Sequence, residues 1–547
     1  MILRSIIFSV LIFLALNVSG QKNNQKVGNN TSLVVGIVVD QMRYDYLFRF
    51  SEKYSEGGFK RLMRGGFLCR NANFNYVPTH TAPGHASIFT GTSPSVHGII
   101  GNDWFDRNSR KEIYCVGDST VKPVGTTSIS GKMSPRNLYA TTFADELRLA
   151  SNFKSRAFGV SLKDRGSILP VGHTANVAYW HDPYLNNWVT STYYLKELPK
   201  WVSDFNSRKV SDSLLSKPWN TLLPISSYTE CGPDNSPYEG LYKGEKSPVF
   251  PHDLPSLREA ESELIRKTPF GNTFTRLFAE SLINEEKLGK GEFCDVLTVS
   301  FSSTDYIGHM YGTNAVELED TYIRLDREIE SFLNFLDKNV GEGKYLLFLT
   351  ADHGAAHNPG FLEEHKIPSD HINDYGNSDS IRAFIKREYR DDAFTLDVSS
   401  GAVYLNIPYI ISKKIEPAEV ARRCANFIGG LPGVSSVVTS DDLMRGSSRA
   451  PFFSFYQNGY NATRSADILV QYRPAWLSWY NKTGTTHGAA YSYDTHVPLI
   501  FFGTGIIAGS TATVVDISDV APTICSMLNI EFPNGCTGKP IEAILDK

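Results

Sequence analysis

The sequence predicts an α/β fold, in which a mostly parallel central sheet is flanked by helices and carries inserted cap regions. Continuous apolar, β-branched runs at residues 32–39, 295–301 and 345–350 are typical of strands buried on both faces of a parallel sheet. Helical patterns separate these runs, and such alternation favours a parallel α/β sandwich. We therefore expect a single domain over residues 21–547.

The remaining elements follow from hydrophobic periodicity along the chain. Two regions of irregular, aromatic-rich or mixed composition, at about 179–255 and 380–475, are expected to be insertions that lie over the core. The pattern predicts helices at 42–64, 140–150, 273–284, 316–337, 417–427 and 520–528, and further strands at 67–76, 157–162, 401–405 and 497–502.

The first 20 residues have the pattern of a secretory signal peptide. Arg4 supplies the positive start, residues 6–16 form an apolar core, and residues 18–20 (Val-Ser-Gly) are a small-residue cleavage site. The apolar run is shorter than a membrane span, and no later stretch reaches 18 apolar residues. We expect an exported protein, secreted or periplasmic, without a membrane span.

Charge and cysteine content exclude several classes of protein. The chain has 54 basic and 58 acidic side chains, a net charge of −4, which gives no electrostatic basis for binding nucleic acid or a membrane surface. Its seven cysteines form no CxxC pattern, so a cysteine zinc site is not expected. In an oxidising compartment they allow at most three disulfides, and Cys525 with Cys536 is one candidate pair.

The segment 78–87 has the features of a nucleophile site. If a helix begins near Pro83, its free N–H groups point toward the Thr81 hydroxyl and toward any anion bound there. A Thr-Ala-Pro-Gly sequence is more often a plain turn before a helix. The remainder of the chain has to supply the groups that would activate Thr81.

Polar residues gather at the predicted strand ends. The carboxyl ends of parallel strands share one edge of a sheet, so residues far apart in sequence converge there. The residues at these strand ends are Asp40, Lys163, Arg165, Asp305, Asp352 and His353. Together with His309 and His487 near the C-terminus, they provide three Asp and three His, a nitrogen and oxygen ligand set suited to zinc.

The order of these motifs resembles the alkaline phosphatase superfamily. The closest similarity is to the flavobacterial, phosphate-irrepressible alkaline phosphatases, which use a threonine nucleophile and two zinc ions. The resemblance covers about residues 32–540. The motifs are Asp40 after a strand, Thr81 in Thr-Ala-Pro-Gly-His, Asp305-x-x-x-His309, Asp352-His353-Gly354, Thr486-His487-Gly488 and the Asp519-Val-Ala-Pro-Thr-Ile tail.

The resemblance implies a role for each site residue. One zinc would be held by Asp305, His309 and His487. The other would be held by Asp40, Asp352, His353 and the oxygen of Thr81, which is also the nucleophile. Asn102, Lys163 and Arg165 would bind the non-bridging oxygens of the substrate.

The implied activity is hydrolysis of small phosphate monoesters through a phospho-threonine intermediate, with release of inorganic phosphate. Two Zn²⁺ balance three carboxylates and a threonine alkoxide, so the positive charges of Lys163 and Arg165 match the two negative charges of a monoester. A diester carries only one. We expect a secreted or periplasmic monomer that contains two zinc ions.

A phosphodiesterase, a sulfatase and a binding scaffold are alternatives to the phosphate monoesterase. A phosphodiesterase or nucleotide pyrophosphatase of the same superfamily is the main alternative, because it shares the threonine, the asparagine and both zinc sites. A sulfatase needs Cys-x-Pro-x-Arg where this chain has Thr81-Ala-Pro-Gly-His85. A metal-stabilised binding scaffold without activity would not need the nucleophile and the cationic pair.

Overall fold

The computed structural model describes residues 31–261, 263–399, 401–479 and 481–545. Within these ranges a ten-stranded sheet forms the core. Its five central strands run parallel, as predicted, and the strand that flanks them on each side, Leu499–Gly503 or Asn187–Ser191, is antiparallel. In sheet order the strands are Gly509–Thr511, Phe67–Cys69, Leu499–Gly503, Tyr345–Thr350, Leu33–Val39, Asp295–Phe301, Ala157–Ser161, Val177–Asp182, Asn187–Ser191 and Pro123–Val124.

Helices cover the faces of this sheet and surround the smaller sheets. The helices of eight or more residues are Thr81–Thr90, Phe143–Ala150, Asp164–Val171, Lys200–Ser207, Phe270–Glu285, Ser303–Tyr311, Val316–Leu336, Asp374–Tyr389, Pro417–Ile428 and Val520–Leu528. The shorter α-helices are Tyr46–Arg49, Phe59–Gly65, Pro94–His97, Val210–Leu214, Leu254–Leu257, Pro359–Glu364, Ile407–Ser412, Ser440–Arg445, Phe453–Gly459, Ser492–Thr495 and Glu542–Leu545. Among the described residues, no helix is both long and apolar enough to cross a membrane.

The helix expected over residues 42–64 is broken into short pieces, which corrects that prediction. Gly57 and Gly58 pack directly on the helix Val316–Leu336, where an added Cβ would overlap the side chains of Glu330 and Asp326. The carboxylate of Asp326 accepts hydrogen bonds from the backbone N–H groups of Ser55 (2.6 Å) and Phe59 (2.8 Å). Tertiary packing therefore replaces the continuous helix with a turn.

The region expected as an insertion from about residue 179 begins inside the central sheet. The strands Val177–Asp182 and Asn187–Ser191 extend that sheet, because Tyr179, Trp180 and Trp188 are buried in its apolar layers. The irregular chain follows only after these strands.

Within the stretch 380–475, a separate four-stranded antiparallel sheet has its own apolar cluster. Its strands, in sheet order, are Thr395–Val398, Ala402–Leu405, Ile468–Tyr472 and Val434–Thr439. The other small sheets of the described chain pair Asp370–His371 with Trp476–Leu477, Asp103–Asp106 with Lys111–Tyr114, and Ala72–Asn73 with both His496–Val497 and Val515–Asp516.

All seven cysteines are free thiols, so the candidate bridge between Cys525 and Cys536 is not formed. The sulfur of Cys536 instead lies 3.8 Å from the carbonyl oxygen of Gly538. The predicted signal peptide, residues 1–20, lies outside the described residues.

Candidate active site

Thr81 is the first residue of the helix Thr81–Thr90, two positions earlier than the sequence suggested. Its side chain is buried, and its hydroxyl oxygen lies 3.4 Å from Lys163 Nζ. The helix packs closely on the chain at Asp352, because a Cβ added to Gly84 would meet the Asp352 carbonyl oxygen at 2.3 Å. Thr81 therefore sits at a helix N-terminus beside that aspartate, where free N–H groups favour a bound anion.

The parallel strands bring the predicted acidic residues together. Val39 at the end of the strand Leu33–Val39 is level with Phe301, and Val38 is level with Thr350. Asp40, Asp305 and Asp352 follow these three strand ends within four residues. The register therefore places three carboxylates at one edge of the sheet, as the sequence predicted.

Asp40, Asp352 and His353 form the first candidate metal-binding group, with potential ligand atoms all within 4.8 Å of one another. All three residues are fully buried. His353 Nε2 lies 3.6 Å from both Asp40 Oδ1 and Asp352 Oδ2. Among the described residues, neither Asp40 Oδ1 nor His353 Nε2 has a hydrogen-bond partner.

The electrostatics of this group fit a cation. His353 Nδ1 donates to the carbonyl oxygen of Gly354 (3.0 Å), so the Nε2 lone pair is directed at the two carboxylates. Burial lowers the pKa of His353, which keeps the imidazole neutral. Burial and the neighbouring Asp352 carboxylate raise the pKa of Asp40. A divalent ion would supply the positive charge and the bonds that these buried atoms lack.

Asp305, His309 and His487 form the second candidate metal-binding group. Asp305 Oδ1 lies 3.2 Å from His309 Nε2 and 3.7 Å from His487 Nε2. Both imidazoles donate from Nδ1 to a backbone carbonyl, His309 to Thr485 (2.8 Å) and His487 to Thr79 (2.7 Å). These bonds fix the tautomer that leaves Nε2 free to bind a metal.

Lys163 lies between the two groups. Its Nζ atom is 2.8 Å from Asp40 Oδ2 and 2.5 Å from Asp305 Oδ2. Burial opposes the charged form, but the carboxylates of Asp305 and Asp40 outweigh it and raise the pKa of Lys163. The ammonium group is thus a fixed positive charge beside Thr81.

Arg165 and Asn102 are the other two residues for which the resemblance implies substrate binding. Arg165 Nη1 donates to the hydroxyl of Tyr114 (3.0 Å), whereas its buried Nε has no hydrogen-bond partner among the described residues. Asn102 Oδ1 accepts a hydrogen bond from the backbone N–H of Ala82 (3.0 Å). The N–H groups of the Asn102 amide remain as donors for an anion.

The structure adds two residues that the sequence reasoning had left without a role. Gln41 donates from its backbone N–H to Asp352 Oδ1 (3.1 Å) and from its side-chain amide to Asp305 Oδ1 (2.8 Å), and so connects the two groups. His85 Nδ1 lies 2.8 Å from the Thr81 carbonyl oxygen and 3.3 Å from Asp352 Oδ2. No sequence motif marks Gln41, whereas His85 belongs to the Thr-Ala-Pro-Gly-His motif.

Most of the chain is similar to one known protein family. Residues 34–495 match the family described as type I phosphodiesterase / nucleotide pyrophosphatase. This range contains every residue of the two candidate metal-binding groups. The match confirms the predicted membership of the alkaline phosphatase superfamily.

Two alkaline phosphatases and one crystal structure are similar to this chain over nearly its full length. Alkaline phosphatase PafA of Elizabethkingia meningoseptica is 47% identical over 97% of this chain and 98% of its own length. Alkaline phosphatase PhoV of Synechococcus elongatus is 43% identical over 94% of this chain and 92% of its own length. The crystal structure of wild-type PafA superposes with a TM-score of 0.91, covering 94% of this chain and 99% of that chain.

Proposed function

The chain belongs to the type I phosphodiesterase / nucleotide pyrophosphatase family, and on that premise we propose that it is an alkaline phosphatase that hydrolyses phosphate monoesters at a two-zinc site. The observation that carries the choice of substrate is the ammonium group of Lys163, 3.4 Å from the Thr81 hydroxyl oxygen, to which Arg165 would add a second cation. Lys163 and Arg165 together supply two positive charges, which match a monoester dianion. The similarity to PafA and PhoV supports the same choice over the diesterase alternative.

The two candidate groups would hold the metal ions. Asp40, Asp352, His353 and the Thr81 oxygen would bind one, and Asp305, His309 and His487 the other. All of these ligand atoms are nitrogen or oxygen, which suits zinc. When bound, the ions act as Lewis acids that neutralise negative charge and favour the deprotonated threonine.

Thr81 supplies the nucleophile in this proposal. Its hydroxyl loses a proton and its oxygen attacks phosphorus, so that a Thr81 O–P bond forms while the bond to the leaving oxygen breaks. The alcohol departs with a proton. Water then cleaves the phospho-threonine and releases inorganic phosphate, which regenerates the hydroxyl.

Other side chains position the phosphoryl group. Asn102 contacts the N-terminus of the helix Thr81–Thr90 through Ala82, and its amide and the Arg165 guanidinium would donate to the non-bridging oxygens. Lys163 Nζ is held by Asp40 and Asp305, within 3.4 Å of the Thr81 oxygen. Because these donors are fixed before the substrate arrives, they stabilise the transition state with little reorganisation.

The proposal is tested with phenyl phosphate and the matched diphenyl diester, before and after treatment with a chelator. We expect the monoester to react faster by at least about 100-fold in kcat/KM, and the activity to disappear on chelation and return with Zn²⁺. A faster diester reaction would favour the phosphodiesterase, and activity that is indifferent to chelation would exclude the metal mechanism.

We further propose export through residues 1–20 and a monomeric state. Mass determination of the protein recovered from the medium or periplasm tests removal of this segment, since the mature chain would begin at Gln21. Light scattering measures the mass of the protein in solution and so tests the monomeric state. An intact N-terminus, or a dimer mass, would reject the corresponding proposal.

A further inference from the structure

A cleft of about 570 Å³ opens beside the candidate active site. His80, Gly101 and His487 line it on the side of the catalytic core. Further lining residues, including Leu469, Trp476 and Trp479, come from the small sheet of the inserted region and from the chain that follows it. The cleft is thus continuous with the place where a phosphoryl group would bind.

The direction of an in-line displacement connects this cleft to the substrate. The leaving oxygen departs from phosphorus on the side opposite the attacking oxygen. Thr81 lies next to Asp352. Gly84, in the helix that Thr81 begins, packs on the Asp352 carbonyl oxygen, and His85 contacts both the Thr81 carbonyl oxygen and the Asp352 carboxylate. His487, a residue of the second candidate metal-binding group, lines the cleft. An alcohol that departs toward this second group therefore enters the cleft or its mouth.

The side chains that line the cleft determine which leaving alcohols fit there. Trp476 and Trp479 line the cleft and are half-buried, whereas Trp104 and Tyr404, which also line it, are only 7% and 6% exposed. Trp479 also stacks on His309, with ring centroids 4.8 Å apart and an interplanar angle of 18°. An aromatic wall thus begins directly at a candidate metal ligand.

The charged residues that line the cleft are compatible with an uncharged aromatic ring. Asp494 is buried, and its carboxylate accepts hydrogen bonds from the backbone N–H groups of Gly488 (2.9 Å) and Ala489 (2.7 Å). The guanidinium of Arg473 lies 5.8 Å from the ring of Trp476. Among the described lining residues, Asp103 is the remaining acidic group. At the exposed surface of the cleft Arg473 and Asp103 carry opposite charges, so no excess charge there requires a charged leaving group.

We propose that this cleft is a leaving-group subsite that favours monoesters whose alcohol carries a planar aromatic or heteroaromatic ring, with Trp476 and Trp479 as its specificity-determining residues. The inference rests on the proposed monoesterase function and adds a substrate class to it. A volume of this size accommodates a single ring system and its linker. Stacking on the tryptophans tolerates different rings, because each offers a π face.

The test compares 2-phenylethyl phosphate with propyl phosphate, whose alcohols have similar leaving-group pKa values and differ in the ring. We expect kcat/KM, which reports the step that expels the alcohol, to favour the phenylethyl ester by about tenfold. Trp476→Ala should reduce this ratio toward one, and Trp476→Phe should restore most of it. Tyr375→Ala removes an 83% exposed ring elsewhere in the inserted region and serves as the matched control.

The outcomes separate the two proposals. If propyl phosphate is hydrolysed but the ring gives no advantage, or if Trp476→Ala leaves the ratio unchanged in a variant with an unaltered melting temperature, the subsite is rejected and the monoesterase stands. If neither ester is hydrolysed by the zinc-loaded protein, the monoesterase itself fails. Trp479→Ala is a second variant, measured together with zinc content because Trp479 stacks on His309.

Discussion

The side-chain amide of Gln41 donates a 2.8 Å hydrogen bond to Asp305 Oδ1, the carboxylate oxygen that faces both histidines of the second candidate metal-binding group. Its backbone N–H binds Asp352 in the first group. Gln41 adopts a left-handed backbone conformation, with φ of 63°, that few non-glycine residues accept. One buried residue thus fixes a carboxylate in each group, at a cost in backbone strain.

We predict that Gln41→Leu weakens metal binding by about 10- to 100-fold, the usual effect of losing a partner that orients a ligand. The backbone hydrogen bond to Asp352 is retained, so the loss should be confined to the group of Asp305. Zinc content during stepwise chelation measures it, because one of the two ions should leave early. Gln41→Glu is the contrasting variant, since it places a second carboxylate against Asp305. Equal release of both ions would contradict this role.

Thr81→Ala should abolish the phospho-enzyme and reduce kcat by at least about 10³-fold, because the attacking oxygen is removed while Asp40, Asp352 and His353 remain to hold the metal. Acid quenching followed by mass spectrometry detects a phosphate on residue 81 in the native enzyme. Thr81→Ser keeps the hydroxyl and should retain the intermediate. A phosphorylated residue other than Thr81 would show that the nucleophile has been misassigned.

Arg165→Ala should reduce kcat/KM for a monoester by about 10²- to 10³-fold, since a charged donor to the phosphoryl oxygens is lost. A diester has less negative charge to neutralise, so its rate should fall much less. Tyr114→Phe removes the hydroxyl that accepts a 3.0 Å hydrogen bond from Arg165 Nη1 but keeps the charge, and should have an intermediate effect. Equal losses for both esters would contradict charge matching as the basis of selectivity.

The buried His252 should make the stability of the region around it depend on pH. Its Nδ1 lies 2.8 Å from Glu245 Oε1, and its Nε2 lies 3.2 Å from Glu317 Oε1. Burial opposes protonation, but the two carboxylates outweigh it and raise the pKa of His252 to about 9. The folded state thus holds this proton more tightly than the unfolded chain, where the pKa is about 6.5.

The stabilisation by His252 is complete below about pH 6.5 and is lost as the pH rises through about 9. We predict that the free energy of unfolding falls over this range by on the order of 1–3 kcal/mol more in the native protein than in His252→Asn. Urea unfolding in excess zinc at several pH values measures the difference, with the exposed His365→Asn as control. Parallel pH profiles for native protein and His252→Asn would reject the prediction.

The choice of site residues could be predicted from the sequence because each lies next to a strong local signal. Asp40, Asp352 and His353 follow buried strands, and Asp305 with His309 are one helical turn apart. Strand ends meet at one edge of a parallel sheet whatever the details of packing. The same local signals placed the helix Val520–Leu528 and the strand Asp295–Phe301 at their observed bounds.

Long-range contacts decided the features that the sequence missed. The broken helix after Met42 depends on Asp326, about 270 positions away in the chain, and the orientation of His487 depends on the carbonyl oxygen of Thr79. Neither partner has a sequence signature, because a backbone carbonyl is available at every position and a buried carboxylate can cap any nearby turn.

The sequence by itself thus determined which side chains are candidates for binding metal and for attacking phosphorus, since residue type and strand-end position set that chemistry. Tertiary structure alone decided how those atoms are held and what surrounds them. It brought Gln41 between two carboxylates, and it placed Trp476 and Trp479 beside His487 to form one wall of the cleft. The physical reason is that a ligand's identity is a local property, whereas its orientation and the shape of a pocket depend on contacts between distant segments.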